Sequence, residues 1–266
     1  MKDAGPITRK DYWNKLWGLA RPLSPLDPHK GGLRNYAYRH LHRVFAAALA
    51  AEHPHGKRLI EIGCAGSRWL VYFHQYHGCR IAGLDYSQPG CAAVQALLDQ
   101  LGIPGQIVQA DMFHPPAEHL GQYDFVFSNG LVEHFTDTAG AIAACAAFLK
   151  PGGLMITLVP NMTGPLGRLQ RFLDSALYEK HKPLDREQLA GAHAGAGLEI
   201  VAADHVLLAH LGVIQFGAVE RVLGSRPLQV IKLALSAPLW ALGHVLGLRP
   251  NAITSPFILC LARKPG

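Results

Sequence analysis

The sequence predicts an α/β fold: a mostly parallel sheet with helices on both faces. Two observations carry this. From Arg58 onward, short continuous apolar runs alternate with amphipathic stretches, and strands that are apolar throughout belong to parallel sheets buried on both sides. The first of these runs also ends in a small-residue turn, Gly63-Cys64-Ala65-Gly66-Ser67. Such a turn lets a ligand approach the backbone at the carboxyl ends of the strands.

Residues 1–57 read as an N-terminal helical arm and residues 58–266 as the main domain. Tyr12, Trp13, Leu16 and Trp17 share one helical face, and a Pro-rich stretch from Arg21 to Gly32 interrupts it. Tyr38, Leu41, Val44, Phe45 and Leu49 mark a second amphipathic helix, which ends before His53-Pro54-His55-Gly56. In the main domain, strands are expected at Arg58–Ile62, Arg80–Leu84, Gln106–Ala110, Tyr123–Ser128, Leu154–Pro160, Leu198–Leu207 and Phe257–Ala262. Helices are expected around Ser67–His77, Gln88–Leu101, Asp137–Leu149 and Arg186–Ala196. Between the last two strands lies an insertion, residues 208–256. Within it Leu233–Leu248 has no formal charge, contains Trp240 and is broken by Pro238. Three readings of this segment stand: a cover over a binding pocket, a homodimer contact, or a peripheral membrane contact flanked by Arg226, Lys232 and Arg249.

Composition narrows the classes. Of 266 residues, 49% are hydrophobic and 17% charged, which excludes a disordered tail, a collagen-like fibre and a charged coiled coil. The net charge of +6 comes from the arm: residues 1–58 hold eleven basic and four acidic side chains, and the remainder 14 and 15. A nucleic-acid partner, which calls for a basic stripe on the folded body, is therefore disfavoured. The five cysteines show no C-x-x-C spacing, so neither a disulfide framework nor a zinc site is expected, and the expected location is the cytoplasm. The charged start suggests no signal peptide, and no run of about 18 uninterrupted apolar residues suggests a conventional transmembrane helix.

Three acids stand at three successive strand ends. Glu61 lies inside the first strand, where a carboxylate suits a cationic or amino-bearing ligand. The turn after it gives only Gly63-x-x-Gly66 followed by Arg68 and Trp69, not the G-x-G-x-x-G of a pyrophosphate site; a dehydrogenase is correspondingly disfavoured. Asp85, 24 residues on, ends the second strand, where a carboxylate takes both ribose hydroxyls of a nucleoside. Asp111 ends the third, positioned to accept from an adenine amine while Met112 and Phe113 pack on the ring.

The series Glu61-Ile62-Gly63-Cys64-Ala65-Gly66, Asp85-Tyr86-Ser87, Ala110-Asp111-Met112, Tyr123-Asp124-Phe125-Val126, Val132-Glu133-His134-Phe135 and Leu149-Lys150-Pro151-Gly152-Gly153 resembles that of class I S-adenosylmethionine-dependent methyltransferases. It is most similar to the bacterial small-molecule branch that includes the quinone-biosynthesis enzymes. The likeness is close over residues 58–160 and looser to about 206. It implies a Rossmann-like sheet of seven strands, the last antiparallel. It implies S-adenosyl-L-methionine as cofactor, S-adenosyl-L-homocysteine as product, and no metal. Cofactor contacts carry over to Glu61, Gly63, Ala65, Gly66, Asp85, Tyr86, Asp111, Met112, Asn129 and Gly130. The family pattern acid-x-Gly-x-Gly-x-Gly is altered here by Ala65 and Ser67; Ala65 is tolerated only at negative φ.

The implied reaction is methyl transfer to a small-molecule or lipid-linked acceptor, with oxygen favoured. His134 is the candidate general base, although Glu133-His134 also reads as a helix cap. Asn161 and Met162, with Tyr12, Trp13, Trp17, Arg34, Tyr36 and Arg39 of the arm, are candidates for the acceptor pocket; the arm reads equally as a helical cap on the sheet. The rival functions are a non-catalytic cofactor-binding regulatory or assembly protein, and a nucleic-acid methyltransferase. Against the latter, the turn after the fourth strand is Ser128-Asn129-Gly130-Leu131 rather than an Asn/Asp-Pro-Pro-aromatic turn.

Overall fold

Each apolar run becomes a strand in the computed structural model, which describes residues 5–19, 22–216 and 224–266. The strands are β1 (Arg58–Ile62), β2 (Arg80–Asp85), β3 (Gly105–Gln109), β4 (Tyr123–Asn129), β5 (Leu149–Pro160), β6 (Glu199–Val206) and β7 (Phe257–Arg263). They form one sheet in the order β3-β2-β1-β4-β5-β7-β6. β7 runs antiparallel to both β5 and β6, and the other pairings are parallel. The chain order reverses between β1 and β4, and the connections from those two strands go to opposite faces of the sheet, to α3 and α5, leaving a crevice between them.

The helices are α1 (Lys10–Gly18), α2 (Tyr36–Leu49), α3 (Trp69–His77), α4 (Gln88–Leu101), α5 (Thr138–Ala146), α6 (Pro165–Leu173), α7 (Ser175–Tyr178), α8 (Arg186–Gly195) and α9 (Ser225–Val245). One face of the sheet is sealed by α5 and α8, whose Ala141, Ile142, Cys145 and Leu189 pack with Ile60, Val126 and Met155. The other is sealed by α2, α3 and α4, where Leu41, Phe45 and Leu49 meet Phe73, Val94 and Phe127. Burying one such side chain contributes about 1.5–3 kcal/mol, so α2 is held to the sheet as firmly as α3 or α4.

Three expectations are corrected. The Ala-rich helix stops at Ala146 rather than Leu149, because Leu149 pairs with Tyr123 and opens β5; sheet pairing overrides helix propensity there. The polar connection after β5 contains two short helices, α6 and α7. Pro238 does not break the insertion: α9 runs through it for 21 residues. Pro removes one backbone donor, but side-chain bonds on either side hold the helix in place. Leu211 N donates to Ser236 Oγ (3.0 Å) and Trp240 Nε1 to the Leu208 carbonyl (2.8 Å). By length and composition α9 suffices to cross a membrane, with 28% of its most apolar window buried.

Candidate active site

A cavity of about 330 Å³ opens at the carboxyl ends of β1, β2 and β4. All ten residues expected to hold the cofactor line it: Glu61, Gly63, Ala65, Gly66, Asp85, Tyr86, Asp111, Met112, Asn129 and Gly130. His134, Trp13 and Trp17 line it as well.

The turn after β1 forms the floor. Gly63 and Gly66 have φ of +79° and +64°, the left-handed region where only glycine is unstrained. Ala65 lies outside that region, so the altered motif costs no backbone strain. Its methyl is accommodated from across the crevice by Gly90 in the first turn of α4, where a Cβ would collide with Ala65. The Trp17 indole lies directly on Gly66, and any side chain at Gly66 would displace it.

Glu61 is 1% exposed. Burial pushes its carboxyl up to about 8, against the hydroxyl of Ser67, which donates to Oε2 at 2.7 Å. Ser67 Oγ is oriented in turn by accepting from Trp69 N at 3.0 Å. Asp85 accepts from Ser87 N (2.7 Å) and Ala65 N (3.1 Å). Burial raises its pKa, while these backbone bonds and the nearby Lys10 charge oppose the rise. Asp111 is half exposed and accepts from Phe113 N at 3.0 Å. Met112 and Phe113, both 6% exposed, face the same cavity.

His134 sits at the far end, in a single tight turn Val132–His134. Its Nδ1 lies 2.7 Å from the Lys180 carbonyl; the carbonyl must accept, so Nδ1 carries the proton and Nε2 is left with its lone pair. Burial and the neighbouring His181 lower its pKa to about 4. Trp13 stands edge-on to the ring at 4.9 Å, and the His181 ring lies tilted to it at 4.6 Å. Glu133 is 2% exposed, pushed up to about 8 by burial, and its Oε2 has no hydrogen-bond partner. Glu133, His134 and His181 each offer a ligand atom, all within 4.8 Å of one another. The sequence reading expected no metal; this group is the place where a cation would be held.

The other acceptor candidates lie away from the cavity. Asn161 is buried but spent on the backbone: its Nδ2 donates to the Ala252 and Ser255 carbonyls, and its Oδ1 accepts from Gly164 N. Met162 is buried beside Gly167 of α6. Tyr36 stacks on Trp240 at 4.0 Å, and Arg39 donates to the Lys30 and Gly32 carbonyls on the surface. Arg34 is exposed in the turn before α2, and Tyr12 packs edge-on to Trp13 beneath Lys180. His181 was missed in the sequence, since 47 residues separate it from His134 and it stands in what reads as a polar connection.

Residues 33–203 match the family model described as a methyltransferase domain. The chain belongs to this methyltransferase-domain family. The match begins at α2's approach and ends inside β6, so it contains the whole cavity floor and excludes α1 and the insertion. A ubiquinone biosynthesis O-methyltransferase of Escherichia coli O6:H1 is 28% identical over 153 residues, 58% of either chain. The chain thus spans only about 58% of the length of the curated relatives it matches. Two solved structures share the methyltransferase-domain fold. The cyclase SpnF has a TM-score of 0.59 at 17% identity, over 95% of this chain and 90% of that one. Geranyl diphosphate C-methyltransferase from Streptomyces coelicolor A3(2), solved with Mg2+, geranyl diphosphate and S-adenosyl-L-homocysteine, has a TM-score of 0.58 at 16% identity, over 98% and 100%.

Proposed function

We propose that this methyltransferase-domain protein transfers a methyl group from S-adenosyl-L-methionine to an oxygen of a small-molecule or lipid-linked acceptor. The observation that carries the reading is Glu61. A fully buried carboxyl pushed up to about 8, at the bottom of a crevice lined by a glycine turn and Asp85, fits an amino-bearing nucleoside and not a pyrophosphate. Glu61 and the Gly63–Gly66 turn would hold its amino acid end, Asp85 the ribose hydroxyls, and Asp111 with Met112 and Phe113 the adenine. When bound, the cofactor supplies a methyl already made electrophilic by the sulfonium.

The protein's own task is alignment and proton removal. The acceptor end of the cavity is apolar, walled by Trp13, Leu131 and Phe135, which favours an acceptor with a substantial apolar part and excludes water from the reacting centre. His134 receives the acceptor proton at Nε2, while the Lys180 carbonyl fixes the tautomer through Nδ1. Its depressed pKa keeps the ring neutral and Nε2 unprotonated at pH 7, though as a weaker base than a free imidazole. The E. coli relative, an O-methyltransferase, supports oxygen as the accepting atom.

Calorimetry tests the cofactor half directly. S-adenosyl-L-homocysteine should bind more tightly than NAD, and Asp85→Ala should weaken it about tenfold or more, since hydrogen bonds to a charged group contribute about 1.5–3 kcal/mol. Tighter binding of NAD would overturn the assignment.

A further inference from the structure

Helix α9 is apolar on its exposed side as well as its buried one. Its inward stripe is Leu228, Lys232, Ser236 and Trp240, all buried. Its outward stripe is Ile231, Leu235, Leu239, Leu242 and Leu246, spaced as one helical face and 45–60% exposed, with Val245 beside it at 80%. A row of exposed leucines this long, on a helix already buried along Leu228 and Trp240, marks a face that meets an apolar medium or partner.

The surface continues beyond α9. Gln170 of α6 exchanges two hydrogen bonds with the Gln215 backbone, and the adjoining Phe216 ring lies under Lys232 Nζ at 5.1 Å. This docks α6 beside α9, and α6 likewise turns Leu169, Phe172 and Leu173 outward, Phe172 at 86% exposure. The loop that returns to β7 adds exposed Ile253. Exposed Arg168 and Arg171 stand on α6, and exposed Arg226 and Arg249 at the two ends of α9. Among the described residues between Leu208 and Pro256 there is no Asp or Glu. Asp174, at the end of α6, is engaged as a cap on Leu177 N.

We propose that the outward faces of α6 and α9 rest on an anionic lipid bilayer. Charge selects this occupant over a second copy of the chain. A two-fold contact through the same face would set arginines against arginines with no described acid between them, whereas anionic headgroups complement the arginines and acyl chains the leucines. The α9 part of the surface stands outside the family match at residues 33–203, and the α6 part inside it. It rests on the methyl-transfer reading only for its consequence: α7 and Lys180 connect α6 to His134, so an acceptor held in the bilayer would enter from the same side.

Vesicle flotation tests it with the full chain. The protein should float with vesicles containing phosphatidylglycerol and about tenfold less with pure phosphatidylcholine vesicles. Leu235→Glu with Leu242→Glu should reduce flotation at least tenfold, and so should Phe172→Glu on the other helix. Arg226→Gln and Arg249→Gln should each weaken it about fivefold, from ~1 kcal/mol per cation near an anionic surface. All variants should bind S-adenosyl-L-homocysteine within twofold of the parent, which certifies their fold. A chain that never floats overturns the proposal. So does equal flotation on both lipids, or a concentration-dependent dimer in sedimentation that the Leu235→Glu, Leu242→Glu variant abolishes. Loss of homocysteine-cofactor binding by the parent chain would overturn the methyl-transfer reading and leave this one standing.

Discussion

On the proposed methyl-transfer reading, Glu61 makes ligand binding a proton-release reaction. Its carboxyl is held protonated at neutral pH, pushed up to about 8 by burial, with a single hydroxyl donor from Ser67. At pH 7 ionising it costs one pKa unit, about 1.4 kcal/mol. An ammonium-bearing ligand needs the ionised form, so the affinity for S-adenosyl-L-homocysteine should rise about tenfold from pH 6 to pH 7. The rise should level off near pH 8, where the ligand's own α-amino group begins to lose its proton. Titration calorimetry in buffers of different ionisation enthalpy should show close to one proton released per ligand at pH 6.5. Glu61→Gln should remove both the slope and the proton. The sign for the ligand-free chain is opposite. A folded pKa above the ordinary 4.5 means that this group's contribution to stability is complete below about pH 4.5 and lost as pH rises through 8. The melting temperature of the ligand-free parent should therefore fall from pH 5 to pH 8 more than that of Glu61→Gln. A flat affinity from pH 6 to 8 with no buffer dependence would refute the reasoning.

Three other perturbations address the rest of the site. His134→Ala should lower turnover about 10²–10⁴-fold with cofactor affinity unchanged within twofold; parent activity should resist a chelator, and chelator loss would reassign Glu133, His134 and His181 to a cation. Gly66→Ala should lower stability by at least about 1 kcal/mol for its left-handed backbone, and expel Trp17 from the turn, seen as a red shift in tryptophan emission. Gly90→Ala should destabilise by about 1–3 kcal/mol through overpacking, and Ala65→Gly in the same chain should restore most of it, a coupling that urea denaturation of the four variants measures.

The cavity floor was legible in the sequence because it is local. Glu61, Asp85 and Asp111 each sit at the end of an apolar run, and strand ends in a parallel sheet converge whatever the intervening helices contain. The acceptor side was less so. Asn161 follows a buried strand just as Asp85 does, yet its amide closes a loop onto Ala252 and Ser255, 91 and 94 residues away. Arg34, Tyr36 and Arg39 carry the right chemistry for an anion, but Tyr36 stacks on Trp240, Arg39 donates to nearby carbonyls and Arg34 is exposed away from the cavity. Trp13 and Trp17 reach the cavity while their neighbour Tyr12 does not, since adjacent helical positions diverge by 100°. His181 and the α4 glycine that makes room for Ala65 are long-range contacts, and no spacing in the chain announces them.

The roof of the cavity is its least anchored part. Helix α1 buries no residue of its own; it is held by Trp17 on Gly66, by Trp13 on His134, and by the short bridge of Pro6 to Phe135 with Ile7 N on the His134 carbonyl. The sheet beneath it is sealed by two full layers of side chains. Ligand exchange can thus proceed by undocking nine residues rather than by disturbing the core. Any ligand that touches both floor and roof then adds its contacts to the docking of α1, and a docked α1 tightens its binding by the same free energy. Occupancy and closure become one reciprocal equilibrium, readable as slower tryptic cleavage at Arg9 and Lys10 when the cavity is filled.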